Sequence, residues 1–239
     1  MKNILIYGGT SLISIELIKI LNTSTNKFFI FCRNKDLFVN QIKQLDFDES
    51  KFNIFQTELE NLKDNLNNIE AIDNINGIYW IAGYTGDPTT EIKDPENCKK
   101  NIEINFLNPI IIINKLIEKM LLDGSSYIAV ITSVAGLRGR SKNIFYGSAK
   151  SALISYLSGI RQRFNGKINV TTVIPGYIRT AKFNLSAPKI LISEPDKLAR
   201  KIVDAVNNKR EIIYCSFQWK LIMNLIKIIP EKIFKKLSF

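Results

Sequence analysis

The sequence predicts an α/β fold: a single doubly wound parallel sheet of about seven strands, with helices on both faces. Three observations carry this. Short runs rich in Ile and Val alternate with longer segments of helical period, the pattern of a sheet covered on both sides. The first run, Ile4-Leu5-Ile6-Tyr7, ends in the glycine turn Gly8-Gly9. No internal repeat, low-complexity tract or linker interrupts the 239 residues, a length that buries a sizeable core as one domain.

The opening run is far too short for a signal peptide and reads as a buried strand over 2–7. Further strands are expected near 27–32, 52–56, 76–82, 126–132, 168–174 and 211–215. Helices fill the gaps near 11–22, 35–45, 59–68, 96–122, 145–164 and 195–208. Residues 1–216 then form the body of the protein and 217–239 an apolar, basic helical tail.

Composition narrows the chemistry. The chain has no histidine, which removes Ser-His-Asp hydrolysis, Cys-His chemistry and His-ligated zinc, and no metal site is expected. Acid–base work falls to Tyr, Lys, Asp or Glu. Cys32, Cys98 and Cys215 match neither a metal knuckle nor a disulfide framework, which points to a reducing cytoplasm. The net charge of +11 is unevenly spread. Between Asp123 and Glu194 there is no acidic residue, while Arg138, Arg140, Lys142, Lys150, Arg161, Arg163, Lys167, Arg179, Lys182 and Lys189 all fall there. No nucleic-acid motif accompanies the charge, so a nucleic-acid partner is not expected.

Tyr146-Gly147-Ser148-Ala149-Lys150 places a phenol and an ammonium at i and i+4, on one face of a helix, with Ser133 thirteen positions upstream. A cation beside a phenol favours the phenolate and lowers a pKa that is ordinarily about 10. Such a phenol can exchange a proton with a substrate hydroxyl or carbonyl near neutral pH. Ser133 closes the fifth strand, at the sheet edge where doubly wound folds bind ligands, and its hydroxyl can hold the substrate oxygen. Gly8-Gly9-Thr10-Ser11-Leu12-Ile13-Ser14 lies between the first strand and the first helix, where backbone N–H groups and the helix dipole can hold a pyrophosphate. Arg33, in Cys32-Arg33-Asn34-Lys35 at the end of the second strand, stands where an NAD-specific fold carries an acidic residue, and an arginine there fits a 2′-phosphate. NADP(H) is therefore favoured over NAD(H).

These motifs, with Ala82-Gly83 after an apolar run, Asn105 in a long helix, Thr132-Ser133-Val134-Ala135-Gly136 and Pro175-Gly176-Tyr177-Ile178-Arg179-Thr180, resemble in order and register the short-chain dehydrogenase/reductase family. The resemblance runs through residues 2–215 and implies a Rossmann-type, NAD(P)-binding oxidoreductase. It implies Ser133, Tyr146, Lys150 and Asn105 as the catalytic set, with Asn105 linking the lysine to solvent through a water. It assigns Gly8, Thr10, Ser11, Leu12, Ile13, Arg33, Glu58, Leu59, Ala82, Gly83, Tyr146, Lys150, Pro175, Gly176, Ile178 and Thr180 to the cofactor. Leu12 and Ser14 replace family glycines, and Ile81 replaces a family asparagine.

The tail, Phe217 to Leu237, carries a narrow polar stripe of Gln218, Lys220, Asn224 and Lys227 on an otherwise apolar helix too short to span a bilayer. A peripheral, interfacial helix and a helix packed on its own domain or on a partner subunit both fit, and a homo-oligomer is expected. Tail, glycine turn and Arg138-Gly139-Arg140 together resemble the branch containing decaprenylphosphoryl-2-keto-ribose reductases and other surface-polysaccharide reductases. That branch implies a phosphorylated or lipid-phosphate-linked keto-sugar, read by Arg138 and Arg140 at the inner face of the membrane. Reduction of a fatty-acyl or other hydrophobic ketone by a soluble enzyme, and dinucleotide sensing without turnover, are the alternatives.

Overall fold

The computed structural model describes residues 2–86, 93–179 and 188–237. The chain runs β1 (Lys2–Tyr7), α1 (Leu12–Leu21), β2 (Asn26–Cys32), α2 (Lys35–Lys43), β3 (Phe52–Gln56), α3 (Leu62–Glu70), β4 (Ile75–Trp80), α4 (Pro95–Ile102), α5 (Asn108–Ile117), β5 (Ser126–Ile131), α6 (Ile144–Arg163), β6 (Ile168–Ile174), β7 (Tyr177–Ile178), β8 (Ile192–Ser193), α7 (Pro195–Asn207), β9 (Ile212–Tyr214), α8 (Phe217–Ile228) and α9 (Glu231–Phe234). Seven strands form one parallel sheet in the order β3-β2-β1-β4-β5-β6-β9. The order turns back between β1 and β4, which opens a crevice beyond the carboxyl ends of those strands. The small pair β7 and β8, absent from the sequence reading, lies outside this sheet.

The uniformly apolar strands bury both faces. On one side Leu17, Ile18, Phe38, Leu198 and Ile202 pack on the sheet. On the other, Ile69, Ile112, Leu116, Leu153 and Leu157 do the same. Near the carboxyl ends an aromatic ladder crosses four strands in register: Phe55 stacks on Phe31 at 4.8 Å, Phe31 on Tyr7 at 4.3 Å, and Tyr7 on Trp80 at 4.3 Å. The ladder fixes the floor of the crevice.

The helix expected over 96–122 is not continuous. A π-turn at Glu103–Leu107 joins α4 to α5, with the Asn108 N–H donating five residues back to Glu103 O. Pro109 has no N–H with which to continue the α-ladder to the Asn105 carbonyl, so the wide turn falls where the ladder must break. The helix ends at Ile117, and Met120 then bridges to Ile75.

The tail is a helix packed on the body. Trp219 and Met223 are buried with Val134 and Ile174, and the Trp219 indole N–H donates to Leu191 O at 2.9 Å. Its outer side carries Phe217, Leu221, Leu225 and Ile228, each between 49% and 76% exposed. Among the described residues no helix is long and apolar enough to cross a membrane.

Candidate active site

The turn after β1 is shaped for close approach. Gly8 has φ +89°, and a Cβ there would stand 2.9 Å from the Ala82 nitrogen. A Cβ on Gly9 would stand 2.3 Å from an Ile30 methyl. Ser11 caps α1 by accepting from the Ile13 N–H, and buried Ser14 donates to Gly8 O at 2.8 Å. Leu12 opens α1 with its side chain half exposed rather than packed into the turn. Gln41 donates to Thr10 O, which ties the turn to α2. The N–H groups of Ile81 and Ala82 both donate to Tyr7 O, so backbone bonds join β4 to β1 where Ile81 replaces an asparagine.

Arg33 stands exposed after β2, and makes no hydrogen bond or ion pair among the described residues. Its charge is felt by Glu60, whose carboxyl burial would raise but which the Lys100 ion pair at 2.9 Å draws below its usual value, helped by Arg33. Glu58 and Leu59 act through their carbonyls: Glu58 O accepts from Asn65 and Leu59 O from Asn108 at 2.7 Å. The Glu58 side chain is exposed.

The structure brings Ser133, Tyr146, Lys150 and Asn105 to the carboxyl edge of β4 and β5. Ser133 caps the short 3-10 turn Val134–Leu137 by accepting from the Ala135 N–H, and its hydroxyl is hydrogen-bonded to the Tyr146 phenol. The Lys150 ammonium lies 5.8 Å from the Tyr146 ring centre. Gly83 sits between the lysine and the asparagine: a Cβ there would be 3.1 Å from Asn105 Oδ1 and 3.3 Å from Lys150 Nζ. Asn105 clamps the loop by donating to Tyr84 O at 2.6 Å and accepting from Tyr84 N at 3.0 Å.

Burial dominates the electrostatics of the pair. Burial pushes the Tyr146 phenol above its ordinary value, while the Ser133 hydrogen bond and the Arg140 charge pull it down. Burial pushes Lys150 itself down to about 8, which leaves it mostly an ammonium at neutral pH. Among the described residues Lys150 has one long hydrogen bond, to Ile131 O at 3.4 Å, and it is 2% exposed. A buried ammonium with so little solvation is poised to meet another acceptor.

Arg138 departs from its expected role as an anion reader. Its guanidinium pairs with Glu231 at 2.6 Å, donates to Ile229 O at 3.2 Å and lies 4.4 Å from the Phe234 ring centre. It fastens the tail to the body. The cationic stretch as a whole is not one mouth: Arg161 donates to Val170 O, Thr172 and Glu211 O, and Arg179 pairs with Glu194 at 2.7 Å. Fifteen positions along α6 from Tyr146, Arg161 stands on the order of 20 Å away. The charge of Arg140 is felt at the Tyr146 phenol.

On the last loop, Pro175 O accepts from the Val134 N–H at 2.9 Å, tying this loop to the residue after Ser133. Gly176 is packed under Trp219, and Ile178 pairs with Ser193. Thr180 lies outside the described residues.

Sequence reasoning missed the polar frame behind Asn105. Asn97, Asn101 and Asn105 are all buried on one helical face, and Asn105 donates to Asn101 Oδ1 at 2.9 Å. Their spacing of four was the available signal. The Trp219 contact with Gly176 had none.

A model of short chain dehydrogenases matches residues 2–189. The chain therefore belongs to that family. It is 34% identical over 111 residues to the ketoacyl reductase HetN of Nostoc sp., covering 44% of this chain and 39% of that protein. It is 24% identical over 213 residues to carbonyl reductase family member 4 of Xenopus laevis, covering 83% and 88%. In fold it is similar to a short chain dehydrogenase of Burkholderia cenocepacia solved in complex with NADP, with a TM-score of 0.82 over 100% of both chains at 15% identity.

Proposed function

We propose that this chain is an NAD(P)H-dependent reductase that converts a keto group to a hydroxyl, with Tyr146 as the proton donor. The observation that carries the reading is the part-buried Tyr146 phenol hydrogen-bonded to Ser133, one helical turn from a buried lysine that has no carboxylate partner among the described residues.

The residues fit a dinucleotide: the Gly8 turn leaves no room for a Cβ, the first turn of α1 offers N–H groups, and Gly83 leaves space against Lys150. Gly8, Thr10, Ser11 and the start of α1 would hold the phosphates, Arg33 a 2′-phosphate, and Lys150 a ribose hydroxyl. The nicotinamide, when bound, supplies hydride chemistry at a carbonyl carbon. Ser133 holds the substrate oxygen by a hydrogen bond. Tyr146 delivers its proton to that oxygen as negative charge builds there. Burial keeps the phenol protonated until that moment, and the Ser133 hydroxyl and the Arg140 charge stabilise the phenolate left behind. Asn105 fixes the Gly83–Tyr84 loop and completes the relay that restores the proton.

The substrate is read as a ketone with an apolar body, in the finer form a phosphorylated or lipid-phosphate-linked keto-sugar. The exposed apolar side of α8, with Lys220 and Lys227, supports action at the cytoplasmic face of a membrane. A second reading, a fatty-acyl or other hydrophobic ketone, is favoured by the engagement of Arg138 with the tail, which leaves fewer cations for a phosphate. A homo-oligomer belongs to either reading. Tyr146→Phe tests the core of it: the variant should keep its fold and cofactor binding and lose turnover by at least about a hundredfold, the lower end for a general acid. Turnover like that of the unaltered enzyme would overturn the assignment.

A further inference from the structure

Asn97, Asn101 and Asn105 stand four residues apart on one buried face of α4 and the π-turn, and each meets a different point of the loop from Gly83 to Gly86. Asn105 grips the Tyr84 backbone with both ends of its amide: Nδ2 donates to Tyr84 O at 2.6 Å, and Oδ1 accepts from Tyr84 N at 3.0 Å. The Tyr84 hydroxyl donates to Asn97 Oδ1 at 3.3 Å. Asn101 lies under Gly86, which has φ +71° and whose missing Cβ would stand 2.5 Å from Asn101 Nδ2. That Nδ2 is shut off from solvent and has no hydrogen-bond partner among the described residues. A buried amide N–H without a partner costs stability, so an apolar side chain of the same shape would serve the packing at least as well. What the amide adds is an acceptor. Asn101 Oδ1 takes the second N–H of Asn105 Nδ2 at 2.9 Å, closer than the Asn101 carbonyl at 3.1 Å.

We infer that Asn101 is a positioning residue of the reduction, fixing the Asn105 amide to α4 and, through that amide, the Gly83–Tyr84 loop against Lys150. The terminal torsion of an asparagine is soft and two-fold, so its neighbours decide where the amide points. Both Tyr84 bonds lie on the loop that the amide has to hold, and they travel with it. Asn101, on the helix, supplies the fixed point. Its influence extends to the lysine because Gly83 is wedged in between: a Cβ there would be 3.1 Å from Asn105 Oδ1 and 3.3 Å from Lys150 Nζ. Among the described residues Lys150 is bonded only to Ile131 O, at 3.4 Å, so the loop is what sets the space beside its ammonium. A drift of the loop by about 1 Å is on the scale of misplacement that costs about a hundredfold in rate. The kinetic consequence, though not the hold on the loop, rests on the reductase reading.

Hydrogen exchange on the full chain without nucleotide reads the hold directly. In Asn101→Leu the Tyr84 N–H should exchange at least about tenfold faster than in the parent, because a freed Asn105 amide lets the loop open locally. The thermal midpoint of that variant should stay or rise, since the unpartnered N–H is gone. Asn101→Ala, which cannot overpack the site, carries the same expectation for exchange should the leucine variant not fold. Asn101→Asp keeps an acceptor towards Asn105 and should restore slow exchange. The second arm is NADPH-dependent reduction of a panel of β-keto esters and keto-sugars. In Asn101→Leu kcat should fall at least about tenfold while KM for the ketone stays within about threefold, and Asn101→Asp should recover most of the loss. Slow Tyr84 exchange in both apolar variants, or no recovery in a folded Asn101→Asp, would overturn the assignment. Fast exchange with unchanged kcat would overturn it too, and leave Asn101 a packing residue. Fast exchange in a chain whose parent reduces no ketone would remove the reductase reading and leave the hold on the loop standing.

Discussion

Trp219 fills the space that a side chain at Gly176 would need: a Cβ there would stand 1.9 Å from the indole nitrogen and 2.0 Å from Cε2. The tail is therefore keyed into the loop that the family resemblance places beside the nicotinamide. Gly176→Ala must expel the indole or bend the loop, and overpacking of this kind costs about 1–3 kcal/mol. The indole bond to Leu191 O should break, and Trp219 emission should shift to the red while Trp80 stays buried. Unchanged emission and unfolding would show that the contact yields without strain.

Lys150 makes a prediction about pH. Its folded pKa of about 8 lies below the ordinary 10.5 because burial penalises the ammonium. Between those values the unfolded chain binds the proton and the folded one does not, so stability rises with pH across that window and the penalty is greatest below about 8. Replacing Lys150 with Met removes a penalty on the order of 3 kcal/mol. The variant should melt higher than the parent at pH 7, and the gap should close as pH rises from about 8 towards 10.5, while turnover is lost. A gap that does not change with pH would mean that the lysine is not held as a strained charge.

Arg33 stands exposed at the end of β2 and is unpaired among the described residues, so its removal should cost little stability. Arg33→Ala should weaken NADPH binding by at least about tenfold, the scale of a charge-assisted contact to phosphate, and leave NADH binding nearly unchanged. Titration of nucleotide fluorescence checks both. Affinities that fall together would show that Arg33 does not read the 2′-phosphate.

The fold was legible because nearly every strand is a continuous apolar run and nearly every connection a helix, so alternation alone set the topology. Boundaries were legible to within a few residues wherever a cap such as Ser11 or Asn34 stood at the start. The π-turn was not, although Pro109 and the four-residue spacing of Asn97, Asn101 and Asn105 were in view, since a helical period reads through a single wide turn. The order of Ser133, Tyr146 and Lys150 placed them on neighbouring elements. What order could not reveal was that the charge of Arg140, on a loop, is also felt at the phenol. Nor could it reveal that Arg138 is spent on Glu231, 93 residues away, so a charge count mistook a fastening for a mouth.

The tail carries the last prediction. Removing residues 217–239 would strip Trp219 and Met223 from the core, so point substitutions on the outer side are the sharper probe. Leu225 and Ile228 are 64% and 76% exposed, and changing both to Glu leaves the buried side intact. A twelve-residue helix rises only about 18 Å, too short to span, but one laid in the interface would bury Phe217, Leu221, Leu225 and Ile228 and set Lys220 and Lys227 among head groups. The unaltered protein should then sediment with anionic liposomes, less so with zwitterionic ones and less at high salt as the lysines are screened. The double variant should stay in the supernatant with its unfolding transition unchanged. Should the unaltered protein ignore liposomes and the double variant elute as a smaller species in gel filtration, the apolar stripe is a contact between copies of the chain, and the membrane reading falls with it.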